Sequence, residues 1–151
     1  MIIKLTPKDI TKHWDVIKYA LIRGDLIIPD HRQVVLNDML HELLCEKAQC
    51  FFRFDSEDRK IQAILITKIQ QNKRTLEKFL YIQCIYSFLI VDNNIWQNDW
   101  DFIKTFAEEV ECRSILANSS NPRIFEILTK LDVKESYRTF IHNLNKGVHN
   151  E

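Results

Sequence analysis

The stretch that decides the fold reads FLYIQCIYSFLIVDNNIWQNDWDFIKTF over residues 79–106. Residues 80–91 are almost continuously apolar and rich in aromatic and β-branched side chains, which is typical of a strand buried on both faces. A polar run at residues 92–99 breaks this pattern, and apolar residues from Trp100 to Val110 then recur at helical spacing. The sequence therefore predicts a central strand that passes through a loop into an amphipathic helix.

In many folds, the junction between a central strand and the following helix binds a ligand. A helix N-terminus offers free N–H groups and the positive end of the helix dipole, and both attract anions. This junction contains no glycine and carries Asp92, Asp99 and Asp101 instead. Acidic residues stabilise a helix start but repel a phosphate, so the sequence predicts a junction that suits a phosphate poorly.

The composition indicates one well-packed domain without a charge excess. The chain has 151 residues, of which 46% are apolar, and 21 Lys and Arg residues balance 21 Asp and Glu residues. These values exclude a disordered chain and argue against a general nucleic-acid binder. No apolar run is long and uncharged enough to cross a membrane. We expect a single domain over residues 1–144 and a frayed tail at residues 145–151.

Glycine, cysteine and histidine usage restricts the chemistry further. Gly24 and Gly147 are the only glycines, which excludes a glycine-rich phosphate loop. The five histidines share no metal spacing, and the four cysteines lack the paired short spacings of a zinc site. The cysteines are interpreted as buried free thiols in a reducing cytoplasm. Cys84 has no neighbour that would lower its pKa, so an inert thiol is favoured over a nucleophile.

Periodicity and capping signals supply the remaining elements. Thr6 and Asn121 are predicted helix N-caps, and Gly24 is a predicted helix C-cap. The predicted segments are a strand at 2–6, helices from Thr6 to Gly24 and at 32–47, a hairpin of strands 50–54 and 61–69, a strand at 113–117, a helix at 122–131 and a final strand at 134–144. The order β-α-α-β-β-β-α-β-α-β predicts an α/β (α+β) fold, a mixed sheet with helices on both faces.

Residues 121–133 read NPRIFEILTKLDV. This segment resembles the Asn-x-x-Ala-x-x-Leu-Tyr-x-x-x-Gly-Phe ending of the GCN5-related N-acetyltransferases (GNAT). Residues 3–9 resemble the opening strand and helix start of that family, and Val91 matches the valine that closes its central strand. The resemblance covers nearly the whole chain. It implies a largely antiparallel mixed sheet that binds acetyl-CoA and acetylates amines.

The departures from the family pattern fall on the residues that hold the cofactor. After the valine the family has Arg or Gln and then two glycines, whose backbone N–H groups hold the CoA pyrophosphate. The corresponding stretch here offers Gln97, Asn98, Asp99 and Trp100, with no glycine. Two carboxylates that each disfavour an anion by about 1 kcal/mol would weaken its binding about thirtyfold.

The residues that the family uses for proton transfer also differ. Leu128 stands where the family has the tyrosine that protonates the leaving thiolate, and Asp132 stands where it has a glycine. A general base on the central strand would be Glu77, or Gln83 or Tyr81 through a held water. A solvated carboxylate is the favoured interpretation of Glu77, and no residue is assigned a catalytic role.

Several polar or aromatic residues are candidates for partner contact. Trp96 forms either an aromatic surface for a partner or a hydrophobic staple, whereas Trp100 is favoured as a core residue. His31 lies in the loop that borders the acceptor site in the family. Tyr137 and Tyr86 could each supply a hydroxyl group to a cleft, although half-buried sheet positions are the default.

The sequence favours a GNAT-fold protein that has lost acetyl-CoA binding, uses no cofactor and acts by contact with protein partners or by self-association. Its size, degenerate loop and C-terminal pattern are similar to internal virion proteins of tailed bacteriophages. That resemblance implies a role in a phage virion or its assembly, or in regulating a host enzyme. The alternative is a divergent acyl-CoA N-acyltransferase with an atypical pyrophosphate loop. It would have an open cleft beside the central strand and free N–H groups at residues 97–100.

Overall fold

The computed structural model describes residues 1–24, 29–89, 93–119, 121–136, 138, 140 and 142–144. The elements in this part of the chain are β1 (Ile2–Lys4), α1 (Pro7–Lys12), α2 (Trp14–Arg23), a 3-10 turn (Pro29–His31), α3 (Arg32–Leu44), β2 (Ala48–Phe54), β3 (Ile61–Gln71), β4 (Lys78–Ser87), α4 (Asn93–Glu109), β5 (Ser114–Ala117) and α5 (Pro122–Lys130). The predicted fold class, a mixed and largely antiparallel sheet flanked by helices, is confirmed.

The five strands form one sheet in the order β1-β2-β3-β4-β5. Neighbours are antiparallel except β4 and β5, which run parallel. Helices α1, α2 and α3 cover one face, where the largest group of buried side chains includes Phe52 and Ile66. Helix α4 covers the other face, where Ile103 and Ala107 pack on Phe51 and Leu80. This two-layered burial explains why β2 and β4 are apolar on both sides.

The first helical segment begins as the sequence predicts but is interrupted. Thr6 is the N-cap of α1 and forms a capping box with Asp9, whose backbone N–H donates to Thr6 Oγ1 at 3.3 Å. The predicted continuous helix up to Gly24 is wrong, because the backbone leaves helical geometry at His13. The His13 ring packs edge-on against Phe52 at 5.4 Å between centroids, which ties this break to the sheet.

Helix α4 begins earlier than its sequence pattern indicates. It starts at Asn93, so the prediction that Gln97, Asn98, Asp99 and Trp100 form a loop is wrong. The reason is that Trp96 lies four residues before Trp100 and extends the helical stripe back through the polar run.

The predicted final strand at residues 134–144 is also corrected. The described residues of this segment form no strand, and they are exposed, including Phe140 at 88% and Leu144 at 86%. They therefore bury no face that could hold a strand against the sheet. Val91, Tyr137 and the predicted tail at 145–151 lie outside the described residues.

Candidate functional site

A β-bulge interrupts the pairing of β3 with β4. Ile66 lies opposite Cys84 and the next residue, Thr67, lies opposite Ile82, so Gln83 has no partner on β3. A bulge of this kind bends and twists its strand. The parallel pairing of β4 with β5 ends at Ile82, immediately before the bulge. The two strands therefore diverge from this point onward.

An open cleft of about 210 Å³ lies where β4 and β5 diverge. Its walls come from the end of α2, the second half of β4, the segment after β5 and the first turns of α4 and α5. The polar and aromatic lining residues used below are Arg23, Gln83, Tyr86, Trp96, Asn118 and Arg123. The alternative hypothesis from the sequence expected an open cleft in this place.

The backbone of β4 presents free hydrogen-bonding groups to this cleft. The Phe88 N–H donates to Gln62 O at 2.9 Å, which makes these two residues a hydrogen-bonded pair across β3 and β4. In an antiparallel ladder such pairs alternate, so Ile85 and Ser87 direct their N–H and C=O groups away from β3. No described strand pairs with β4 on that side beyond Ile82. An extended ligand could therefore pair with β4 as an added strand.

The bulged residue also brings an unsatisfied acceptor to the cleft. Gln83 lines the cleft, and its Oε1 atom is buried without a hydrogen-bond donor among the described residues. A buried acceptor without a donor costs about 1–3 kcal/mol. A ligand that donates a hydrogen bond to Gln83 would remove this cost.

The charged side chains of the cleft are cationic. Arg23 is the last residue of α2, and Arg123 lies in the first turn of α5. Asn121 is the N-cap of α5, as predicted, and its side chain accepts a hydrogen bond from the Arg123 N–H at 3.0 Å. No Asp or Glu is among the described lining residues. The cleft thus favours an anionic or neutral ligand.

The free N–H groups at the start of α4 belong to other residues than the sequence predicted. Within α4, the N–H groups without intrahelical partners belong to residues 93–95, because the bond from the fourth residue to the cap carbonyl is the first of the helix and residues 97–100 lie one turn further along. Free N–H groups at residues 97–100 were therefore a wrong prediction. Trp96 is the residue of this first turn that lines the cleft.

The acids of α4 do not crowd this turn as predicted. Asp99 is buried and forms a salt bridge with Arg53 of β2, on the face of the sheet that α4 covers. Burial raises the pKa of Asp99, and the Arg53 guanidinium opposes that shift. Asp101 forms a salt bridge with Lys104 at 3.0 Å. Both carboxylates have cationic partners that offset their charge. The thirtyfold weakening of anion binding expected from the sequence therefore no longer applies in full.

Four other candidates lie away from the free backbone groups of β4 or are chemically inert. Glu77 is exposed at the opposite end of β4 and pairs with Arg113. The Tyr81 hydroxyl accepts a hydrogen bond from Asn118 Nδ2 at 3.1 Å. Leu128 is buried near Phe51 and Ile103 and does not line the cleft. Burial raises the pKa of Cys84 to about 12, so this thiol stays protonated.

The proposed contact residues separate in the structure. Trp100 packs against the core with Phe51 and Leu80, as favoured from the sequence, whereas Trp96 is half-buried in the cleft wall. His31 is exposed in the 3-10 turn before α3 and does not line the cleft. Tyr86 does line it, and partial burial together with the Tyr19 hydroxyl raises the pKa of Tyr86.

The sequence reasoning missed three residues of the cleft. Arg23 and Arg123 were not singled out, because arginines at helix ends are common on solvated surfaces. Gly24 was recognised only as a helix end, although a Cβ atom there would lie 2.7 Å from Cys84 Sγ. Gln83 was noted as a possible base but not as a bulge. Its polar side chain within an apolar strand was the available signal.

The described residues contain no cluster of His, Cys, Asp and Glu side chains that could hold a metal ion. Among the same residues, no helix is both long enough and apolar enough to cross a bilayer.

Comparison with known proteins identifies the fold. No protein-family model matches the sequence, and no curated protein is a significant match. Solved structures are similar over almost the whole chain. A predicted acetyltransferase with acetyl-CoA from Clostridium acetobutylicum has a TM-score of 0.72 at 18% identity and covers 99% of both chains. A ribosomal-protein-alanine N-acetyltransferase from Brucella melitensis biovar Abortus 2308 has a TM-score of 0.66 at 15% identity and covers 95% of this chain and 99% of its own.

A third solved structure, aminoglycoside 6'-N-acetyltransferase from Acinetobacter baumannii, has a TM-score of 0.66 at 14% identity and covers 97% of this chain and 99% of its own. The TM-scores of these three structures establish the architecture of the chain. At such low identities they say nothing about its chemistry, which has to be argued from its own residues. The chain has the GNAT fold.

Proposed function

We propose that the cleft between β4 and β5 binds an acyl-CoA and that the protein is a divergent N-acyltransferase. The observation that carries this proposal is the bulge at Gln83, which separates β4 from β5 and leaves Ile85 and Ser87 with free backbone groups along an open cleft. The pantetheine arm of CoA contains two amide groups. Such an arm can pair with the free edge of β4 as a short added strand.

The residues present fit this ligand in three respects. The buried Gln83 Oε1 accepts a hydrogen bond from an amide N–H of the arm. The first turn of α4 and the guanidinium of Arg123 favour the phosphates. The half-buried Trp96 offers an apolar wall at the same end of the cleft.

When bound, acyl-CoA supplies an activated acyl thioester. The backbone N–H of Ile85 or Ser87 then polarises the thioester carbonyl, because these are free donors inside the cleft. A tyrosine hydroxyl is protonated at neutral pH, and Tyr86 lines the cleft. It is therefore the lining side chain best suited to donate a proton in place of the tyrosine that Leu128 replaces.

Calorimetric titration with acetyl-CoA tests this proposal, with Gln83→Met as the informative variant. Removing the unpaired oxygen raises the free energy of unfolding by about 1 kcal/mol, while losing the ligand's hydrogen bond weakens acetyl-CoA about tenfold. A residue with a purely structural role would not change stability and affinity in opposite directions. Gln97→Met, at an exposed position of α4, is the matched control and changes neither quantity.

The wild-type protein is expected to bind one acetyl-CoA with micromolar Kd and to release free thiol when a suitable amine is added. An absence of binding at millimolar acetyl-CoA would falsify the proposal. It would favour the second candidate function instead.

The second candidate is the function that the sequence favours, a GNAT-fold protein that acts by contact with a protein partner or with itself and binds no acyl-CoA. Two observations support it. Leucine stands at position 128, where the family resemblance implies a tyrosine proton donor, and no glycine lies within or directly before the first turn of α4. A role in a bacteriophage virion or its assembly belongs to this candidate. The phage role is tested by affinity capture from the native source. Recovery of phage structural proteins supports this role, and recovery of none contradicts it.

A further inference from the structure

One arginine lies on each side of the cleft, and their separate positions bear on where an acceptor binds. Arg123 lies in the wall formed by α5, whereas Arg23 lies in the opposite wall at the end of α2. With the coenzyme along β4 and its phosphates near α4 and Arg123, Arg23 stays available to a second ligand. The following inference rests on the proposed function.

Arg23 packs against an aromatic cluster. Its guanidinium carbon lies 4.9 Å from the centroid of the Tyr19 ring. Tyr19 in turn packs edge-on against Tyr86 at 5.9 Å and stacks on Phe88 at 6.2 Å. No carboxylate of the described residues forms a salt bridge with Arg23. A guanidinium held through its flat face keeps its N–H edge available for a carboxylate.

Close packing of Gly24 brings the end of α2, which carries Arg23, directly against β4. A Cβ atom at Gly24 would lie 2.7 Å from Cys84 Sγ, so glycine lets the end of α2 approach β4 directly at the bulge. Arg23, the preceding residue, is exposed and lines the cleft. Arg23 therefore lines the same cleft as Ile85 and Ser87, whose N–H groups polarise the thioester carbonyl in the proposed reaction.

Apolar side chains beside Arg23, outside the lining of the cleft, are exposed. Tyr19 is 43%, Phe88 37% and Leu89 56% exposed, although all three have large apolar side chains. Exposed aromatic surface beside a cation suits a ligand that combines a flat apolar group with an anion. The absence of Asp and Glu from the described lining residues disfavours a ligand with several positive charges.

We propose that the acceptor is an amine that also carries a carboxylate and an aromatic or apolar side chain, as in an aromatic amino acid. Arg23 binds the carboxylate, and the surface formed by Tyr19, Tyr86 and Phe88 holds the side chain. The amine nitrogen in its neutral form attacks the thioester carbonyl. The C–N bond forms, the C–S bond breaks with its electron pair on sulfur, the nitrogen loses one proton, and the thiolate takes up one.

The test compares phenylalanine with phenylalaninamide, which lacks the carboxylate, and with spermidine, which carries several positive charges. Thiol release from acetyl-CoA measures kcat/KM for each amine. Titration with N-acetylphenylalanine and its amide measures binding without turnover. We expect the acid to be favoured over the amide about 10- to 100-fold in both measurements, which is the value of a charge-assisted hydrogen bond.

Three arginine variants locate the effect. Arg23→Gln is expected to abolish the preference for the acid, whereas Arg123→Gln keeps that preference and raises the Kd of acetyl-CoA. Arg113→Gln, at the opposite end of β4, changes neither. If acetyl-CoA binds but the acid and the amide are equivalent, spermidine is preferred, or no amine reacts, the acceptor proposal is wrong while the coenzyme site stands. If acetyl-CoA does not bind, both proposals are overturned.

Discussion

At the scale of single residues, a shortage of glycine leaves non-glycine residues in left-handed backbone conformations. Glu46, Glu111 and Asp132 each follow the end of a helix and have φ of 59°, 62° and 62°. After α5 the Val133 N–H donates to Leu128 O at 3.1 Å, which is the closing bond of a Schellman motif. Asp132 therefore has the left-handed conformation that glycine adopts most readily.

Replacing Asp132 by glycine should stabilise the protein. The left-handed conformation costs an ordinary residue about 1–2 kcal/mol, and glycine gives back about 0.5–1 kcal/mol through the entropy of the unfolded chain. Asp132→Gly is thus expected to raise the free energy of unfolding in urea by about 0.5–1 kcal/mol. Glu126→Gly, at an exposed position inside α5, is the control and should lower it by about 1 kcal/mol. If Asp132→Gly lowered the free energy of unfolding, the Asp132 side chain would stabilise the fold by more than the left-handed conformation of its backbone destabilises it.

At the scale of secondary-structure elements, the packing of α2 on β4 depends on the contact between Gly24 and Cys84. Gly24 has φ −82° and ψ 19°, which alanine adopts without strain, so a substitution there tests packing alone. Its Cβ atom would lie 2.7 Å from Cys84 Sγ. Gly24→Ala is therefore expected to lower the free energy of unfolding by about 1–3 kcal/mol.

A double-mutant cycle checks this contact. In the Gly24→Ala, Cys84→Ala double variant the new methyl group takes up space left by the sulfur, so most of the lost stability should return. Additive losses in urea unfolding would mean that the two residues are not in contact. Because Arg23 precedes Gly24, the single variant should also weaken binding of N-acetylphenylalanine.

The sequence predicted those elements whose signals are local. The N-caps at Thr6 and Asn121 and the antiparallel hairpin were placed correctly, because capping side chains and turn residues act within a few positions. The start of α4 was placed too late, because its first turn is polar and is held by Trp96. The break at His13 depends on Phe52, a residue distant in sequence, and had no local signal.

At the scale of the whole molecule, the candidate site depends on how strands and helices combine. Gln83 and Trp96 were noted from the sequence, but the divergence of β4 from β5 is a property of pairing registers that residue patterns do not report. The tertiary partner of Asp99 could not be predicted from the sequence either. The sequence pattern placed Asp99 at the anion-binding junction before α4, whereas in the fold it forms a salt bridge with Arg53.

The central claim is that the free edge of β4 binds the coenzyme. Amide hydrogen exchange, followed by NMR with and without acetyl-CoA, tests it directly, since exchange reports each N–H separately. We predict that saturating acetyl-CoA slows exchange at Ile85 and Ser87, which face the cleft. It should change Cys84 and Tyr86 much less, because their N–H groups are already paired with β3. Equal protection at all four positions, or binding that leaves Ile85 and Ser87 unprotected, would contradict the account.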